Sequence, residues 1–130
     1  FNTGDFHVHQ IVGTTLDDGR LRLASPVRVG QTLQFQLRDP LAAEMTLRSE
    51  CERIQTASGS PFAALLFMGK GRGKKLFGVE DRNVQAFEEA FGQLPMAGLY
   101  SFGEFGPAHS STIQHDHSVC GALFYSAPES

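Results

Sequence analysis

The sequence has 130 residues, of which 41% are hydrophobic and 19% charged, the balance of a globular chain that can bury a real core as one domain. Its net charge of −3 excludes nucleic acid as the main partner, because phosphate binding needs a basic face; the one basic cluster, Lys70 to Lys75, holds four cations and is too short to track a backbone. No apolar run approaches the length of a membrane span and no signal-peptide pattern is present, so the expectation is a cytoplasmic protein with no membrane partner.

Phe6 to Thr15 alternates loosely and reads as a strand. Asp17-Asp18-Gly19 is a turn, and Arg20 to Ala24 alternates cleanly, which makes the pair a hairpin. Gln31 to Arg38 carries the clearest one-sided strand pattern, with Leu33, Phe35 and Leu37 set against Thr32, Gln34, Gln36 and Arg38. Asp39-Pro40 is a cap followed by a first-turn proline. Leu41, Met45, Leu47, Cys51 and Ile54 then recur at near-helical spacing until Ser58-Gly59. Pro61 to Met68 is continuously apolar, as in a central strand buried on both faces. Gly78 to Gly92 predicts a second helix with Val84, Phe87 and Phe91 on its apolar face. Met96 to Phe102 and Val119 to Ser126 predict two more strands, joined by a polar stretch with three histidines. The order βββ-α-β-α-β-β predicts an α+β fold: a mixed, mainly antiparallel sheet with two helices packed on it.

Two glycine-rich turns stand at the ends of apolar strands, where recognition sites in such folds often lie. In Gly69-Lys70-Gly71-Arg72-Gly73 the glycines clear space for a close approach, and Arg72 offers a forked donor to a carboxylate or phosphate. The segment matches neither a P-loop nor a dinucleotide fingerprint, and a solvated basic loop would carry the same pattern. In Gly103-Glu104-Phe105-Gly106-Pro107 the carboxylate suits an ammonium or backbone amides, and equally a partner for Arg72. His7/His9 and His115/His117 are His-x-His pairs that a strand would turn to one face, though neither has supporting ligands nearby, and His109 stands alone; exposed or hydrogen-bonded histidines are the expectation, with no metal or other cofactor. Cys51 and Cys120 lie far apart without metal-type spacing and read as reduced packing residues. No serine sits in a nucleophile elbow and no carboxylates pair, so the expectation is not an enzyme.

The segments ALLFMGKGRG, LFGVEDRNVQAFEEAFGQLPMAGLYSFGEFGP and HDHSVCGALF, in that order, resemble the C-terminal FIST domain, and LASPVRVGQTLQFQLRDPLAAE upstream looks similar to that family too. The resemblance spans roughly Val8 to Tyr125. It places the family motifs on Gly71, Arg72, Gly73, Pro95, Gly98, Gly103, Glu104 and Pro107. Family members commonly carry cysteine two residues before Gly71, where this chain has Gly69.

The resemblance implies that residues 1–130 form a single FIST C-like domain, the C-terminal part of a longer, bacterial sensor protein. It implies a sensory domain of signal transduction whose small ligand is an amino acid or another carboxylate. The expected binding set is Gly71, Arg72, Gly73, Tyr100, Ser101, Gly103 and Glu104, with the arginine turn taking a carboxylate and Glu104 an ammonium. The expected partners are the N-terminal FIST half and signalling output domains. The alternative is a protein–protein interaction module that uses the same turns without a small molecule.

Overall fold

A computed structural model of the chain describes residues 8–108 and 111–127. It divides into two compact units, residues 1–37 and 38–130. In the first, β1 (Ile11–Thr15) and β2 (Arg20–Leu23) form the expected antiparallel hairpin, with a bulge between Ile11 and Gly13. Gly19 takes the positive φ of 67° that its turn demands, and the Asp18 carboxylate accepts from the Arg20 amide at 3.2 Å.

Gln31 to Arg38, patterned as a strand, is irregular instead. Alternation specifies which face a strand would bury but supplies no neighbour, and no strand pairs with this segment among the described residues. Leu33, Phe35 and Leu37 remain exposed.

The second unit opens with α1 (Pro40–Ser58). Asp39 caps it by accepting from the Ala42 amide at 2.6 Å, and Gly59, at φ 75°, closes it with an N–H bond to Gln55 O. β3 (Ala63–Gly69) follows, then a single 3-10 turn (Lys70–Arg72), α2 (Lys74–Phe77) and α3 (Arg82–Phe91). The one helix predicted over 78–92 is therefore shorter and preceded by another. Gly78 ends α2 in the left-handed conformation, with its N–H on Lys74 O, and Asp81 is also left-handed, so α3 cannot begin before Arg82.

β3 is the central strand of a three-stranded mixed sheet of order β4-β3-β7. It runs parallel to β4 (Met96–Ser101) and antiparallel to β7 (Val119–Phe124). The parallel pair is joined through α3, the crossover that the alternation of strand and helix predicts. Ala64, Leu66 and Met68 face α1 and α3 and form the core with Cys51, Phe87 and Phe91; the Phe87 and Phe91 rings lie 5.9 Å apart. Burial of each such large side chain contributes about 1.5–3 kcal/mol. Both helices thus cover one face of the sheet, and the fold is α+β, as expected.

Glu104 to Pro107, expected as a turn, belongs instead to β5 (Glu104–Ala108), which pairs antiparallel with β6 (Ser111–His115). The histidine-containing stretch supplies the partner strand that a turn reading overlooks. Pro107 is accommodated because the two strands form an isolated pair in which neither is central.

Candidate functional site

The two glycine turns meet. Gly69 ends β3 in register with Ser101 of β4, and its amide donates to Ser118 O at 2.9 Å. The β5–β6 hairpin lies against the end of the sheet here, with Gly106 over the Cys120 thiol and the Glu104 carboxylate beside Gly69. A Cβ on Gly69 would stand 2.8 Å from His117 Cα and 3.0 Å from Glu104 Oε1. Backbone on one side and a buried carboxylate on the other leave room for glycine alone. This is the position at which the resemblance leads one to expect cysteine, and a thiol there requires the His117 backbone to move.

Glu104 is 2% exposed. Its Oε1 accepts from both the backbone amide and the hydroxyl of Ser118, each at 2.6 Å. Its Oε2 is buried with no hydrogen-bond partner. An ionisable group in this state is rare, because an unsatisfied buried acceptor costs about 1–3 kcal/mol, and more when charged. Ser118 closes the turn between β6 and β7, in which His117 adopts a positive φ of 61°. His115 ends β6 and bonds Gly106 O through Nε2 at 3.3 Å. The 115/117 pair therefore does not share a strand face. His7 and His109 lie outside the described residues, and no group of three or more metal-type ligands occurs among the described ones.

The His117 ring sits over Gly71, where any side chain would collide with its Nδ1 and with the Arg38 guanidinium. Arg38 donates to Gly71 O. Arg72 turns toward the helices: its Nε donates to Asn83 Oδ1 and its Nη2 to Ala43 O, both at 3.1 Å, while Asn83 Nδ2 returns a bond to Arg72 O at 3.0 Å. Its guanidinium also lies over the Phe77 ring, 5.6 Å from the centroid. Burial lowers the Arg72 pKa from its ordinary value, the Glu104 charge opposes that, and Arg38 adds to it. The arginine is therefore partly committed to the fold, and its remaining N–H groups share an electrostatic neighbourhood with Glu104.

The other expected residues divide. Tyr100 is half-exposed, acts electrostatically on Arg72 and has its ring edge beside Gly73. Ser101 spends its hydroxyl on Gly103 O at 2.8 Å, which shapes the step from β4 to β5. Gly103 has a φ of 157° and is crowded by the Gln114 side chain. Sequence reasoning missed Arg38, Asn83, His117 and Ser118 as neighbours of these turns. Asn83 left a trace, since with Phe87 and Phe91 it stands on the i, i+4, i+8 line of the apolar face, where a polar residue must have a buried partner. Ser118 left none.

Residues 1–107 match the FIST C domain family. The chain belongs to that family. FIST C domains are associated with the sensory domains of signal-transduction proteins. Two mycobacterial proteins are similar along nearly the whole chain: Uncharacterized protein Rv0628c of Mycobacterium tuberculosis and Uncharacterized protein Mb0898c of Mycobacterium bovis, each 37% identical over 122 residues, or 93% of this chain. F-box/LRR-repeat protein At5g63520 of Arabidopsis thaliana is 27% identical over 103 residues, 75% of this chain and 19% of its own length. The chain spans 32% of the length of the mycobacterial relatives. No solved structure matches it. β6, Ser118 and β7 lie beyond the matched family segment, so the residues that hold Glu104 in place come from outside it. No helix among the described residues is long and apolar enough to cross a membrane.

Proposed function

We propose that this FIST C domain is a non-catalytic sensory module of a cytoplasmic, bacterial signal-transduction protein. In this reading it binds an amino acid or another small carboxylate where the two glycine turns meet. The observation that carries the reading is Glu104: a carboxylate 2% exposed, with one oxygen fully used and the other unpaired, within the field of Arg72. A ligand ammonium satisfies Oε2. The ligand carboxylate is drawn to the free N–H groups of Arg72 and to Arg38 and His117 around Gly71, with Gly73, Tyr100, Ser101 and Gly103 at the rim. Because Glu104 is sealed, entry requires the His117–Ser118 turn to lift. That movement gives binding a conformational consequence, which is what a sensor transmits to an N-terminal FIST half or an output domain.

The test is calorimetric titration of the twenty proteinogenic amino acids and of acetate, succinate and citrate into the wild type and Glu104→Gln. The substitution keeps the Oε1 acceptor for Ser118 and removes the charge. Loss of a charge-assisted bond predicts a binding constant about 10- to 100-fold weaker for an amino acid. Equal affinity in both proteins, or no binding in either, refutes the assignment.

A second reading, a protein-interaction module, has its own support. Phe102 and Phe105, on either side of Glu104, are 84% and 73% exposed, and the Lys70 ammonium stands 4.3 Å from the Phe102 ring centroid. Exposed aromatics with a cation beside them are the composition of an interface anchor. Titration with no small molecule bound, together with binding to a protein partner that Phe102→Ala and Phe105→Ala abolish, selects this reading.

A further inference from the structure

The sheet has a second face. Registers pair Leu65 with Ala97 and Ala122, Phe67 with Leu99 and Cys120, and Ala63 with Phe124. These residues point away from α1 and α3. Phe124 carries Phe62 against it, ring centroids 6.4 Å apart. The β5–β6 hairpin meets this face at the Cys120 end, through Gly106. Below it Leu65 is 39%, Phe67 40% and Leu99 52% exposed. The residues named here are all uncharged, and they span all three strands.

Two physical expectations make such a face anomalous. Parallel strand pairs are normally covered on both sides, and the unbroken apolar run through β3 is the sequence of a strand buried twice, not once. A contiguous apolar patch across a sheet marks a surface that is covered in the working assembly. The mycobacterial relatives are longer chains, of whose length this chain spans 32%. In the first unit Gln31 to Leu37 independently shows strand patterning with no strand beside it. Both features lack the same thing, an apolar β-compatible neighbour.

We infer that the outer face of the β4-β3-β7 sheet is an intramolecular docking surface, covered by a further folded layer of the same polypeptide that presents uncharged aliphatic and aromatic side chains. The inference rests on the reading of this domain as a module of a longer sensor chain. It places the junction with the remainder of that chain on Leu65, Phe67, Leu99, Ala122 and Phe124. Because β3 and β7 run from this face to Gly69 and Ser118, the junction and the Glu104 site share two strands, a direct route between ligand and the rest of the protein.

Site-specific photo-crosslinking on the polypeptide as its gene encodes it tests this. p-Benzoylphenylalanine replaces Phe67 in one variant and Leu99 in a second, with exposed Gln55 of α1 as the control position, and circular dichroism checks that each is folded. The expected result is a crosslink of monomer mass at 67 and 99, at least tenfold more abundant than at 55, whose partner peptides map outside these 130 residues. Crosslinks of dimer mass mean that a second copy covers the face and overturn the inference. So do crosslinks to residues 25–37 of this chain, and so does a yield at 67 and 99 no higher than at 55. The readout needs no ligand, so its failure is separate from failure of the Glu104 titration.

Discussion

Glu44 and Glu104 are both carboxylates set among arginines, and they are treated in opposite ways. Glu44, on α1, is held by both ends: Arg82 Nε meets Oε2 at 2.9 Å, Arg82 Nη2 and Arg48 Nε meet Oε1 at 2.5 and 3.0 Å, and Arg48 and Arg82 go on to Glu89 of α3. Every oxygen has a donor, the network is partly open to solvent, and its effect is to stitch two helices. Glu104 is buried, one oxygen is saturated by Ser118 and the other has nothing. A fold needing only a local clamp has the Glu44 solution at hand. The unfinished coordination of Glu104 is therefore the better marker of function.

The sharpest way to break that contrast is to ask which groups around the turn are structural. Asn83 is 1% exposed and its side-chain amide bonds Arg72 twice, Oδ1 accepting from Arg72 Nε and Nδ2 donating to the Arg72 carbonyl. Asn83→Ala leaves a buried guanidinium N–H and a carbonyl unpaired, and is expected to cost about 2–4 kcal/mol in urea unfolding, the largest effect here. Gly69→Ala follows. Its Cβ meets His117 backbone that cannot yield as a flexible side chain would, so about 1–3 kcal/mol is expected by the same measurement. A neutral Gly69→Ala would mean that the His117 turn already moves freely.

The parts of this picture legible in the sequence were those governed by local rules. Asp39-Pro40 and Gly59 bracket α1, Asp18-Gly19 closes the β1–β2 hairpin, and Val84, Phe87 and Phe91 mark α3, because caps, turns and periodicity act within a few residues. Gln31 to Arg38 went astray because a strand is completed by another strand, and pattern alone cannot provide one. Glu104 to Pro107 went astray because glycine and proline signal turns except where a hairpin edge tolerates them. At the site, Arg72 and Glu104 were visible as charges among glycines. Arg38, His117 and Ser118 were not, since contacts over 14 to 49 residues leave no local signature; the Asn83 pairing alone had a periodic clue.

Glu104→Gln sharpens the comparison from the other side. Removing a charge that is only half satisfied is expected to leave stability within about 1 kcal/mol of wild type, because the amide keeps the Oε1 acceptor and no longer has to bury an unpaired anionic oxygen. On the proposed reading, amino-acid affinity is expected to fall while the melting temperature hardly moves. A structural carboxylate would do the reverse, and a large loss of stability with unchanged binding would make Glu104 a second Glu44.

The smallest expected effect belongs to Glu44 itself. Arg82, chiefly through its hydrogen bonds, holds the Glu44 carboxyl below the ordinary value of 4.5, with Arg48 adding to it against the effect of burial. A carboxyl depressed in the folded state binds protons more readily when the chain is unfolded. Its contribution is therefore complete above about pH 4.5 and is lost as the pH falls through the lower folded value. Melting temperatures from pH 7 to pH 3 should thus fall more steeply below 4.5 for the wild type than for Glu44→Gln, and the gap should narrow in high salt, which screens an exposed network. Parallel curves would show that the arginines around Glu44 are as incidental to the fold as most surface ion pairs, and the contrast with Glu104 would then rest on burial alone.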